Sequence, residues 1–338
     1  DGRGCDRGGL VSRSIGLSLP NRGVLFGATT IEELYSLTAQ AEESGFFDSV
    51  WVGDGLIAKP RLEAIATMSA LAARTVRLKL GVCCMATFPL RNPVLLACQW
   101  ASLDVISGGR SLLAVCLGAP TGRGGANFAA ELQAMGVTGN ERVGRLEEGI
   151  ELIRKAWSGP TSHEGRYWRF PSIDLEPKPI QDPCPIWIAS NPDPSKLSAQ
   201  RYQTAIERVA RMADGWLSTV VSPDDFGARW EEIRRLAEGL GRKSESLSSA
   251  VHLMINIQND ETTARREAKR FLDQYYSTDT KPEVMDAWGA YGTPEHIASR
   301  VEEYRTRGVD IPIIRFASFD QKGQMERALD GLLPGLAT

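Results

Sequence analysis

Asn92-Pro93-Val94-Leu95-Leu96-Ala97 opens a helix that continues through Trp100-Ala101-Ser102-Leu103-Asp104-Val105-Ile106-Ser107 to Gly108-Gly109. After Arg110 the chain passes into Ser111-Leu112-Leu113-Ala114-Val115-Cys116. Asn92 is placed to cap the helix, Pro93 suits its first turn, and the glycine pair stops it. The strand that follows is apolar almost throughout. That is the pattern of a parallel strand buried on both faces, whereas a half-exposed strand would alternate.

The same unit recurs on both sides. Ser14 to Pro20, Ser49 to Val52 and Val76 to Cys84 read as strands, separated by helical periodicity over Thr30–Ser44, ended by Gly45, and over Pro60–Arg74. Downstream, Thr138-Gly139-Asn140-Glu141 has capping-box spacing and opens a helix to Trp157. His163 to Pro185, with Tyr167, Trp168 and Phe170, breaks the rhythm as a small hairpin insertion. Strands follow at Pro185–Ala189, Gly215–Ser218, Val251–Gln258 and Pro312–Phe316. The helices between and after them cover Lys196–Met212, Ser222–Gly239, Asp260–Tyr276, Thr293–Gly308 and Gln324–Leu333. Eight strands alternating with helices predict the α/β class and a closed (β/α)8 TIM barrel with long active-site loops. The rival, an open doubly wound sheet, loses support because the first turn, Pro20–Thr29, lacks G-x-G-x-x-G. The expected organisation is a flexible N-terminal arm over 1–13 and one barrel domain over 14–338.

Composition narrows the function classes. With 39 Lys and Arg against 42 Asp and Glu in 338 residues, the net charge is −3. That is no broad basic surface for nucleic acid, and no window approaches the roughly 18 apolar residues of a membrane span. The six cysteines form no C-x-x-C pair, so neither a disulfide framework nor a zinc site is expected, and the compartment reads as a reducing cytoplasm. Nucleotide P-loops, H-E-x-x-H and G-x-S-x-G are absent. Three histidines make a His-rich metal site improbable, and His163 and His296 read as surface residues. So few groups for acid–base or covalent work suit a protein that borrows its chemistry from a cofactor. In a barrel that chemistry belongs in the loops after the strands, including the glycine-rich Gly118–Gly125 and the Ser190-Asn191 turn.

Several blocks, in order, resemble the luciferase-like flavin-dependent monooxygenases. They are Asn92 to Arg110; Glu141-Arg142 to Trp157 with Glu164-Gly165-Arg166-Tyr167; Pro177 to Gln181 with Pro185-Ile186-Trp187-Ile188 and Ala213-Asp214-Gly215-Trp216; and Gly292-Thr293-Pro294-Glu295 to Asp310. The resemblance implies a cytoplasmic oxidoreductase that binds reduced FMN (FMNH2) at the strands' C-terminal ends. It implies a separate flavin reductase as partner, molecular oxygen and a small organic substrate as reactants, and a homo-oligomer. A sister branch uses a 5-deazaflavin for hydride transfer, and some luciferase relatives are non-catalytic partner subunits.

Carried over by position, the cofactor-binding residues would be Asp54, Cys83, Cys84, Met85, Thr87, Arg142 and Ser190. Asp54 matches an acidic position beside the isoalloxazine. Cys83-Cys84 match the place of a non-proline cis peptide beneath the ring, with Met85, Ala86 and Thr87 flanking it. Arg142 and Ser190 match phosphate contacts. Two departures favour the FMN branch. Gly55 stands where many relatives carry a histidine, and Ala119-Pro120 where deazaflavin dehydrogenases tend to carry a glutamate. They leave no general acid or base to name.

Overall fold

A computed structural model describes residues 14–119 and 125–337. The arm expected over 1–13, and Pro120 to Gly124 of the glycine-rich loop, lie outside the described residues. In chain order the strands are β1 (Gly16–Ser18), β2 (Ser49–Val52), β3 (Lys79–Met85), β4 (Ser111–Val115), β5 (Thr161–Glu164), β6 (Arg169–Ile173), β7 (Ile186–Ala189), β8 (Gly215–Thr219), β9 (Ser248–Ile257), β10 (Gly289–Gly292) and β11 (Ile311–Phe316). Parallel pairings run β1–β2–β3–β4–β7–β8–β9–β11 and back to β1, closing an eight-stranded barrel with helices between the strands.

Local chemistry explains most helix starts. Asn92 accepts the N–H groups of Val94 and Leu95, Thr30 that of Glu33, Ser222 that of Asp225, and Asp260 that of Thr263. Other boundaries moved. The helix expected from Pro60 begins at Ala64, behind a Glu63 cap. The expected capping box at Thr138 closes a turn instead: Glu141 accepts the Thr138 N–H at 3.2 Å, and the helix Arg142–Ser158 starts after it.

The inserted segment is the expected hairpin, with β5 and β6 antiparallel. His163 is not a surface residue as expected. It is buried, stacks on Phe170 with ring centroids 5.8 Å apart, and lies 3.0 Å from Glu148 Oε1. One strand was unforeseen. The short Gly289–Gly292 carries little apolar signal, yet pairs parallel with Met254–Ile257 beyond the point where β8 leaves β9. A Cβ at Gly289 would sit 2.0 Å from the Met254 carbonyl, so glycine permits the approach.

The barrel interior is packed large against small. Trp51 is fully buried, and Cβ atoms at Gly81 or Gly16 would lie 2.1 or 2.7 Å from its ring system. Trp187 sits likewise against Gly215. With Leu112, Ala114, Leu217, Ala250 and Ile313 these side chains form one cluster that plugs the barrel. Open space therefore begins one strand step higher, at the C-terminal ends.

Candidate active site

Two residues beyond the plug, Gly53, Cys83, Thr219, His252 and Arg315 face a cavity of about 820 Å³ at the barrel mouth. Cys84, Ala86, Cys116, Gly118 and Ala119 continue its wall, and Phe128, Tyr276 and Trp288 add aromatic surface. The volume lies in the range of pockets that hold cofactor-sized ligands. Gly118 has φ +73°, and a Cβ there would come 3.0 Å from the Ala86 carbonyl, so the wall between β3 and β4 stays flat and bare.

Of the residues singled out by sequence, Asp54, Cys83 and Cys84 line this cavity, and the Cys83–Cys84 peptide is cis. Thr87 lies behind Asp54. Asp54 Oδ2 accepts the Thr87 N–H at 2.8 Å and its hydroxyl at 2.6 Å, while Oδ1 accepts Arg91 Nη2 at 3.0 Å. The carboxylate thus ties the loop after β2 to the loop after β3. Met85 is fully buried, pairs with Val115 and does not line the cavity.

Arg142 and Ser190 stand apart from these. The Arg142 guanidinium is buried and donates to the carbonyls of Leu117, Ala119 and Gly139, holding the chain after β4. Ser190 follows β7. Its N–H donates to Leu217 O at 3.0 Å and its carbonyl accepts Trp216 Nε1 at 2.9 Å.

Sequence reading passed over the groups that dominate the cavity's polarity. His252 lies within β9 and is 7% exposed, and its Nε2 has no hydrogen-bond partner among the described residues. Burial, then the charges of Arg315 and Arg61, hold the imidazole well below the ordinary histidine range, so it is neutral at pH 7. Arg315, in β11, donates to Ser18 Oγ at 2.7 Å, Leu19 O at 3.1 Å and the Tyr276 hydroxyl at 2.9 Å. Burial pushes the Tyr276 phenol up to about 12. The available signal was an ionisable residue at an inward position of a strand otherwise apolar, as in Pro312-Ile313-Ile314-Arg315-Phe316. Glu131 is used structurally: Oε2 accepts the N–H groups of Leu56, Ile57 and Ala58 at 3.2, 2.7 and 3.0 Å.

These contacts limit the chemistry. Cys84 Sγ lies 2.8 Å from Cys116 Sγ, and that neighbour, then burial, pushes the Cys84 thiol well up; burial pushes Cys83 up as well. Both stay protonated at neutral pH and are poor nucleophiles. Asp54 and Glu131 are already paired. Flat apolar walls, an unclaimed imidazole nitrogen and an unclaimed Arg315 Nε–H suit a planar ring with polar edges.

The family model for luciferase-like monooxygenase matches residues 14–310. The chain is 25% identical over 266 residues to an F420-dependent glucose-6-phosphate dehydrogenase of Kineococcus radiotolerans, covering 75% of this chain and 72% of the relative. It is 29% identical over 167 residues to the oxygenase component of a flavin-dependent trigonelline monooxygenase of Acinetobacter baylyi, covering 48% and 44%. Among solved structures, monooxygenase RslO1 from Streptomyces bottropensis superimposes with a TM-score of 0.77 at 20% identity, covering 95% of this chain and 99% of that one.

Proposed function

The chain belongs to the luciferase-like monooxygenase family, which holds both F420-dependent oxidoreductases and flavin monooxygenases, and on that premise we propose a flavin-dependent monooxygenase. It would use reduced FMN and molecular oxygen to oxygenate a small organic substrate, with reduced flavin delivered by a separate reductase. One observation carries the reading. The mouth cavity is large and mostly apolar, and both carboxylates that line it among the described residues are already engaged, by Arg91 and Thr87 and by three backbone N–H groups. When bound, the flavin supplies the redox chemistry and the activation of oxygen.

The protein's own residues bind, orient and exclude water. Cys83, Cys84, Ala86 and Gly118 would hold the ring face, Asp54 would set the two loops beside it, and His252 Nε2 would meet a polar edge. Met85 and Thr87 would support that wall from behind. Arg142 would hold the chain after β4, and Ser190 would stand at the phosphate end. A homo-oligomer belongs to the same reading and is supported by Leu95, Val105 and Ile106, apolar and exposed on one helix.

The test combines purified protein, FMN, a flavin reductase, NADH and air. Oxygen-dependent product is expected, and its absence over a broad substrate panel would sink the reading. A second reading, F420-dependent hydride transfer, is favoured by the unpartnered His252 Nε2, a group able to exchange a proton with a substrate hydroxyl. Parallel titrations with FMN and F420 separate the two, and tighter binding of F420 would move the assignment.

A further inference from the structure

Positive charge at the barrel mouth exceeds what the described residues neutralise. Arg315 is 1% exposed and, among the described residues, its hydrogen-bond partners are all uncharged and its Nε has none. Among the same residues Arg61 engages Nε alone, with the Lys59 carbonyl at 3.3 Å. Its Nη1 reaches over Gly53, where a Cβ would stand only 1.9 Å away. The Lys59 ammonium lies 5.1 Å from the centroid of the Tyr276 ring, the same tyrosine whose hydroxyl accepts from Arg315.

All three cations line the cavity, and none is ion-paired with a carboxylate among the described residues. The cavity's own acids do not compensate them, since Asp54 is spent on Arg91 and Thr87, and Glu131 on backbone N–H groups. A buried guanidinium without a counter-charge is costly, and an anion that reaches it gains charge-assisted hydrogen bonds. Beside the cations, Tyr276 and Trp288 stand with ring centroids 5.0 Å apart and offer aromatic surface.

We propose that the substrate is an organic anion, a planar aromatic carboxylate or sulfonate, its acid group held by Arg315, Arg61 and Lys59 and its ring packed against Tyr276 and Trp288. This rests on reading the mouth cavity as the substrate pocket of the proposed enzyme. The alternative source of an anion is the phosphate of the flavin itself, and the experiment separates the two.

Calorimetric titration of the full chain with 2-naphthoate, 2-naphthalenesulfonate and neutral 2-naphthamide, and with FMN and riboflavin, provides the test. Wild-type protein is expected to bind the two acids about tenfold or more tighter than the amide, the scale of a charge-assisted contact. Arg61→Gln and Lys59→Gln, both at partly or fully exposed positions, are expected to erase that preference and leave the FMN-to-riboflavin ratio unchanged. Equal binding of acid and amide would overturn the proposal. So would a loss confined to FMN, which would mark the cluster as a cofactor phosphate site. Acid preference without oxygen-dependent turnover would remove the monooxygenase reading and leave this one standing. Turnover of a neutral substrate without acid preference would do the reverse.

Discussion

His252 shows how one buried side chain can shape the stability of the whole barrel. Its pKa is depressed well below 6.5 in the folded state, through burial and then Arg315 and Arg61. Below about pH 6.5 the unfolded chain takes up a proton that the folded chain refuses, so stability falls as pH falls from there to the depressed folded value. The slope from this one group reaches about 1.4 kcal/mol per pH unit. Urea unfolding between pH 6.5 and 5 is expected to show it, and His252→Asn to flatten it. At Gly81 the physics is steric. A methyl there meets the fully buried Trp51 ring at 2.1 Å, so Gly81→Ala is expected to cost about 1–3 kcal/mol or more, read as a lower urea midpoint. Asp54→Ala leaves the Thr87 N–H without its acceptor and reduces the ion pairing of Arg91 to Glu63, 2.9 Å from its Nη2. A loss of about 1–3 kcal/mol together with weaker flavin binding is expected, and flavin affinity unchanged in a stably folded variant would separate Asp54 from the site.

At the scale of elements, single carboxylates clamp irregular segments to regular ones. Glu148, on the helix Arg142–Ser158, accepts the N–H groups of Arg166, Tyr167 and Trp168 and faces His163, so the turn of the β5–β6 hairpin hangs on it. Burial opposes its charge, but His163 and those three N–H groups hold its pKa below the ordinary 4.5. A depressed carboxylate contributes stability that is present above about pH 4.5 and lost as pH falls through the folded value. Hydrogen exchange of the hairpin amides is expected to accelerate selectively over that window. Glu148→Gln should weaken the hairpin by about 1–3 kcal/mol at pH 7, with little change in the barrel strands. Asp104 does the same work for the segment before β7, accepting from Ser111 Oγ, the N–H groups of Ile180 and Gln181, and Gln181 Nε2. Such clamps escape a reading of periodicity. A helix pattern marks Asp104 and Glu148 as polar positions without saying which distant N–H groups will meet them.

For the molecule as a whole, a ligand that binds only the folded barrel stabilises it by mass action. FMN at 100 times its dissociation constant is expected to add about 2.7 kcal/mol, visible as a concentration-dependent rise in melting temperature. No rise at saturating FMN would contradict flavin binding at the mouth. What the sequence by itself determined was the ring of alternating strands and helices. Long apolar strands, capped helix starts and glycine stops are local properties, and parallel strands joined by helices leave few ways to pack. Asp54, after β2, and the Cys83–Cys84 pair, near the end of β3, were singled out by family resemblance, while spacing alone gave only the strands that carry them. Only the tertiary structure decided what fills the mouth. β10 is too short to carry a pattern, and His163 is buried by a hairpin contact that no spacing encodes. His252 and Arg315, more than sixty residues apart in the chain, became neighbours because the barrel sets β9 beside β11. Whether a charge is neutralised depends on which side chains closure brings within reach. The surplus of cations around Tyr276 is therefore a property of the folded barrel, invisible in a chain whose net charge is −3.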